Sequence, residues 1–94
     1  MTDTAYDVQH HPERHRFEVR VDGHTAIAEY RQAGAVLTLT HTVVPQPLEG
    51  RGIAGALAKH AMAYAREQRL KVDPQCPYMR AYMERHPDTQ DLRA

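Results

Sequence analysis

The stretch from Val36 to Leu57, VLTLTHTVVPQPLEGRGIAGAL, decides the fold. Residues 36–44 are rich in Val, Leu and Thr, side chains that suit a pleated, half-buried surface. They predict a β-strand with Leu37, Leu39, His41 and Val43 on one face. Pro45 and Pro47 then end the ladder, because neither has a backbone N–H to donate. Gly50, Gly52 and Gly55 follow at the opening of a long helical pattern. Glycines let backbone N–H groups turn toward one point with no Cβ in the way. A helix N-terminus leaves four such groups unpaired and carries partial positive charge. Strand, glycine cluster and helix start together predict a socket for a phosphate or pyrophosphate.

Gly50-Arg51-Gly52-Ile53-Ala54-Gly55 matches the dinucleotide fingerprint G-x-G-x-x-G, and Asp73 lies where a ribose-binding acid would be sought. The context rejects that match. The fingerprint needs its first glycine directly after the strand, and here Pro45 to Glu49 intervene. It also needs further β-α units, for which the chain after Asp73 is too short. A P-loop fails as well, since no Lys-Ser or Lys-Thr pair follows the glycines.

Working outward, 94 residues predict one domain spanning 1–94 with a modest core. Twelve basic residues balance twelve acidic ones, which argues against a general nucleic-acid or anionic-membrane binder. Cys76 is the single cysteine, so neither an internal disulfide nor a thiolate zinc site is expected. The opening MTDTAYDVQHH lacks an apolar signal run and no stretch approaches a membrane span, so the expected location is cytoplasmic.

Residues 1–5 are expected to fray and residues 6–11 to form a short edge strand. Phe17, Val19 and Val21 alternate with Glu18 and Arg20, Asp22-Gly23 is a hairpin signal, and residues 24–31 return as the next strand. A turn at Gln32-Ala33-Gly34 leads into the Val36 strand, completing an antiparallel meander. The main helix is expected over residues 50–68, with Ile53, Leu57, Ala61 and Tyr64 toward the sheet. Leu70-Lys71-Val72 predicts a short strand, and a second helix runs from Pro77 to Arg85, closed by His86-Pro87. Strand, helix and strand around the glycines thus make a β-α-β unit. His10, His11 and His15 flank a polar turn without metal-ligand spacing and are expected to be solvated.

The run Leu48-Glu49-Gly50-Arg51-Gly52-Ile53-Ala54 resembles the acetyl-coenzyme A loop of the GNAT N-acetyltransferases. That loop reads Gln or Arg, two residues, Gly, one residue, then Gly or Ala. Gly52 and Ala54 fill the last two places, and Glu49 stands in the first. More of the chain resembles a minimal branch, the short stand-alone NATD-type and YjdJ-type domains. The shared pieces are His41-Thr42, Gly50 to Ala54, Lys71-Val72, Pro74, Cys76-Pro77-Tyr78, Tyr82 and His86-Pro87, spread over roughly Phe17 to Leu92.

The resemblance implies a small α+β GNAT-like fold and acetyl transfer from acetyl-coenzyme A to an amine on a small molecule or protein. The implied cofactor site is Thr42, Val43 and Val44 along the pantetheine arm, with Gly50, Arg51, Gly52, Ile53, Ala54 and Gly55 around the pyrophosphate. Cys76 is implied near the thioester. A helix N-terminus favours a thiolate by only ~0.3–1 kcal/mol, under one unit on an ordinary thiol value of about 8.5. Cys76 therefore needs a partner to act as a nucleophile, and His41 is the candidate, as base or as orienting group. Tyr78 and Tyr82 are the candidate proton donors to the departing thiolate, with Met83 at the place that one alignment of the helix end gives. Val43 stands where the resembling proteins often carry an acid. The alternative is a non-catalytic coenzyme A-binding or interaction module on the same fold; the acceptor and the oligomeric state are not legible.

Overall fold

Five strands form one sheet in sequence order, and the computed structural model describes residues 6–94 of the chain. The expectation that residues 1–5 fray lies outside that range. Strand β1 is Gln9–His11, β2 Arg16–Val21, β3 His24–Ala33 and β4 Val36–Val43, each antiparallel to the one before. Helix α1, Ile53–Glu67, crosses over to β5, Lys71–Pro74, which lies parallel to β4. Helix α2, Pro77–Arg85, follows, and a 3-10 stretch over Pro87–Leu92 ends the chain. This is an α+β arrangement of meander and β-α-β unit. No helix among the described residues is long and apolar enough to cross a membrane.

The turns have local causes. Asp22 and Gly23 both take positive φ, 52° and 79°, which is what a two-residue hairpin loop matched to the strand twist requires. The next hairpin is tighter than expected: β3 runs on to Ala33, which pairs with Val36, leaving Gly34 and Ala35 as the loop. Helix α1 starts at Ile53 rather than Gly50. Gly50 and Gly52 sit at φ 80° and 79°, left-handed backbone that cannot continue a right-handed helix.

The core lies between one sheet face and the helices. Phe17, Val19, Ala26, Ala28, Tyr30, Leu37 and Leu39 meet Ile53, Leu57, Ala58, Ala61 and Ala65 of α1 and Met79 and Met83 of α2, all buried. The expected inward row of α1 holds, with Tyr64 half-buried at its margin. His10 and His11 depart from the expectation of solvated histidines: His11 is partly buried, its Nε2 3.6 Å from Glu18 Oε1, and His10 goes further. It stacks on Phe17 with ring centroids 4.3 Å apart, and its Nε2 lies 2.6 Å from the Tyr30 hydroxyl. Burial first, then His60 and His11, lowers its pKa. The reason is register: His10 sits opposite Phe17 across β1 and β2, so it is carried onto the packed face.

The two faces of β4 do not follow simple alternation. Tyr30 pairs with Leu39 but Glu29 pairs with His41, so Thr40 is an extra residue that bulges the strand. Its hydroxyl donates to the Glu29 carbonyl at 3.2 Å. One added residue reverses the side to which everything beyond it points. Leu37 and Leu39 are buried, whereas His41 and Val43 are exposed on the opposite face, and Thr42 turns inward. The shared face expected for Leu37, Leu39, His41 and Val43 is thus corrected by the bulge.

Candidate functional site

The bulge coincides with the place where two strands part. Strand β5 follows β4 only from Val36–Lys71 to Leu39–Pro74. The N–H groups of Gln75 and Cys76 then both donate to the Leu39 carbonyl, at 3.1 and 3.0 Å, and the chain turns away into α2. Beyond Leu39, β4 continues to Val43 with β3 alone as partner. Among the described residues, Thr40 to Val43 therefore present one strand edge with no ladder beside it, a notch between β4 and β5. Such an edge can pair with an extended amide-bearing ligand.

Cys76 stands on the helix side of this notch. It is the N-cap of α2, buried, with Sγ 3.3 Å from the Thr42 hydroxyl oxygen. Burial pushes the thiol pKa up, but the Thr42 hydroxyl and the N–H groups of Met79, Tyr78 and Thr42 outweigh it, and the net value lies below the ordinary one. The Thr42 hydroxyl is thus the thiol's partner. His41 is not: the bulge puts it on the far sheet face, where its Nδ1 lies 3.6 Å from Glu29 Oε1.

The glycine turn sits at the other end of α1's first turn. Gly52 caps the helix with backbone alone, and no side chain among the described residues bonds the first free N–H groups. Ala56 N–H already bonds the Gly52 carbonyl, which leaves the amides of Ile53, Ala54 and Gly55 as the unpaired set. Ile53's side chain is buried in the core, so only its backbone faces outward. A Cβ built at Gly50 or Gly52 would meet nothing within 4 Å among the described residues, which leave the space over the turn open. Arg51 is exposed, its guanidinium 3.2 Å from Asp22 Oδ2, while its carbonyl accepts the Tyr6 hydroxyl at 2.7 Å.

A groove of about 760 Å³ runs from this turn along α1. Gly52, Gly55, Ala56 and Ala63 are its small-residue floor, and Tyr78, Tyr82 and His86 of the α2 segment are one wall. Tyr78's hydroxyl lies 3.7 Å from where a Gly55 Cβ would be, an ordinary van der Waals distance that sets the ring against the floor at the helix start. Burial raises the Tyr78 pKa, with Cys76 adding to it against Arg85. Tyr82, also raised by burial and by Tyr78, stacks on His86 at 3.9 Å. Met83 is fully buried in the core and does not reach the groove. Tyr6, Lys59, Arg85 and His86 line the groove without having been singled out as a group by the sequence, because only the packing of α2 and the N-terminal segment against α1 gathers them. Glu29 was missed for the same reason: it reads as one charge in a strand until the register sets it beside His41.

A phosphate-bearing thioester cofactor fits this geometry: uncapped amides, open space over left-handed glycines, a groove beside them, and a strand edge next to a thiol. The model of the GCN5-related N-acetyl-transferase family matches residues 16–92. The chain is similar to Protein NATD1 of Xenopus tropicalis, at 39% identity over 90% of this chain and 81% of that one. It is similar to Protein NATD1 of Homo sapiens at 38% identity, covering 90% of this chain and 78% of the relative. Its fold matches the solution structure of a GCN5-like putative N-acetyltransferase from Staphylococcus aureus with a TM-score of 0.75, at 24% identity over 94% of this chain and 87% of that one. With a family model spanning most of its length and relatives above a third identical, the chain belongs to the GCN5-related N-acetyltransferase family.

Proposed function

We propose that this protein binds acetyl-coenzyme A and transfers its acetyl group to an amine. The observation that carries the reading is the combination of three features: the uncapped first turn of α1, the groove on its outer face, and the notch where β5 leaves β4. The amides of Ile53, Ala54 and Gly55 hold the pyrophosphate, with Gly50 and Gly52 shaping the turn and Arg51 at its rim. Thr42, Val43 and Val44 offer the free strand edge to the pantetheine amides, and a backbone N–H there polarises the thioester carbonyl. Acetyl-coenzyme A supplies the activated acetyl thioester.

Among the candidate donors, Tyr78 suits the leaving thiolate. Its raised pKa keeps the hydroxyl protonated, and it faces the groove next to Gly55. Cys76 lines the notch, held by Thr42, and the acetyl group passes directly to the amine. A groove that binds coenzyme A without turnover is the second reading, and Val43 in place of an acid favours it. Calorimetry with acetyl-coenzyme A, followed by turnover with a panel of amines, decides the matter. Binding with turnover is expected. Binding without turnover selects the second reading, and no binding removes both.

A further inference from the structure

Resting on that reading, we infer that Cys76 and Thr42 form the blind end of the acyl site and limit the transferred group to two carbons. The thioester ligand is held between two fixed points. At one are the unpaired amides of Ile53, Ala54 and Gly55, which take the pyrophosphate. At the other is the apex of the notch, where the Leu39 carbonyl accepts from the N–H groups of both Gln75 and Cys76. Those two hydrogen bonds tie β4 to the start of α2 and close the notch. The glycine turn follows the Val43 end of β4, so the arm enters there and runs back along the strand edge toward the apex.

Two side chains from opposite walls fill that end. Cys76 Sγ and Thr42 Oγ1 meet at 3.3 Å, so their contact spans the notch from α2 to β4. The bulge at Thr40 makes this possible, because it turns Thr42 inward. Cys76 is 6% exposed, and Leu39 and Met79, at 1% and 0%, are core residues on the two walls it joins. The thiol is also held in place, with the N–H groups of Met79, Tyr78 and Thr42 against it. Cys76 in turn acts electrostatically on the Tyr78 hydroxyl, so the two groups are near neighbours at the start of α2. With the departing sulfur at Tyr78, the acyl carbons extend toward Cys76 and Thr42.

A wall of this kind gives way little. Protein interiors are close-packed, and an added methylene forces side chains off their rotamers or shifts backbone. An acetyl methyl stops at the Cys76–Thr42 contact, and a third acyl carbon must displace it. Filled space sets the limit here, so the pair acts through its volume and not through the acidity of the thiol. Both are specificity-determining residues, and neither takes part in moving a proton or the acyl group.

The test measures, by calorimetry on the full chain, the affinities of coenzyme A and of its acetyl and butyryl thioesters. The wild type should bind butyryl-coenzyme A about tenfold or more weakly than acetyl-coenzyme A. In Cys76→Ala the butyryl-to-acetyl affinity ratio should rise about tenfold, because the end is opened. Thr42→Ala opens the same end from the strand side and should raise the ratio in the same direction, which keeps the test alive if Cys76→Ala does not fold. Thr42→Val keeps the bulk and loses the hydroxyl, so its ratio should stay at the wild-type value. A wild type that binds the two thioesters equally, or a ratio unmoved in the folded Ala variants, would overturn the assignment while leaving the cofactor site standing. A ratio that rises as far in Thr42→Val as in Thr42→Ala would overturn it too, since the hydroxyl and not the filled space would then set the limit. Failure of both coenzyme A and acetyl-coenzyme A to bind the wild type is the separate result that removes the reading beneath it.

Discussion

Cys76 Sγ and Thr42 Oγ1 lie 3.3 Å apart although 34 residues separate them in sequence, and this contact closes the inner side of the notch between β4 and β5. It joins the N-cap of α2 to the strand just beyond the bulge. The hydroxyl can donate to a thiolate that burial alone would disfavour, and this tilts the thiol pKa downward.

Thr42→Val, which keeps the shape and removes the donor, should raise the Cys76 pKa. The thiolate absorbance and the pH profile of alkylation should both move to higher pH. The sign carries over to stability. A thiol whose native pKa is lowered adds stability that is fully present above the unfolded value of about 8.5. That contribution is lost as pH falls through the lower native value, so the alkaline gain should shrink in Thr42→Val. An unmoved alkylation profile would show that the backbone N–H groups alone set the shift.

Incubation with acetyl-coenzyme A before any acceptor is added should leave no acetyl adduct on Cys76 by intact mass. Cys76→Ser should retain most of its turnover. A cysteine-dependent adduct that forms and then transfers to amine would replace direct transfer with a covalent route.

Tyr78→Phe should lower kcat by about a hundredfold or more with little change in acetyl-coenzyme A affinity, while Tyr82→Phe should cost far less. Tyr82 is engaged in its stack on His86, whereas Tyr78 faces the glycine floor. Steady-state rates of the two variants check this, and equal losses would undo the distinction.

Gly55 gives a cleaner probe of the groove than Gly52. At φ 79°, Gly52→Val would strain left-handed backbone as well as fill space, so lost binding would be ambiguous. Gly55 has ordinary helical backbone, and its added Cβ would meet Tyr78 at an unstrained 3.7 Å. Gly55→Ala should therefore stabilise the fold by roughly 0.5–1 kcal/mol. Gly55→Leu should stay folded yet weaken acetyl-coenzyme A binding at least tenfold. Calorimetry paired with thermal melting reads both effects, and full affinity in Gly55→Leu would move the cofactor off this floor.

Acid should loosen the sheet through His10. Its pKa is lowered by burial, then by His60 and His11, so the unfolded chain binds the proton more readily than the native one. Stability is intact above the ordinary imidazole value of about 6.5 and is lost as pH falls below it toward the depressed native value. Melting temperatures measured across that window should drop in the wild type and drop less in His10→Gln. Parallel curves would place the acid sensitivity elsewhere.

Much of this protein was local information. The 3.6-residue spacing from Ile53 to Tyr64, the alternation from Phe17 to Val21 and the Asp22-Gly23 pair each act within a few residues, so the sequence alone determined the meander, both helices and the glycine turn. The spacing of the glycines likewise marked α1's first turn as the phosphate-binding candidate, because backbone freedom is a property of the residue itself. What tertiary structure decided was which side chains meet. The bulge at Thr40 shows only in the pairing of β3 with β4, and it separated His41 from Cys76 and set His41 beside Glu29. The parting of β4 and β5 depends on Leu39 accepting from both Gln75 and Cys76, a contact across the α1 crossover. A strand's period of two is legible only until one extra residue shifts it, and the cost of that shift is fixed by neighbouring strands.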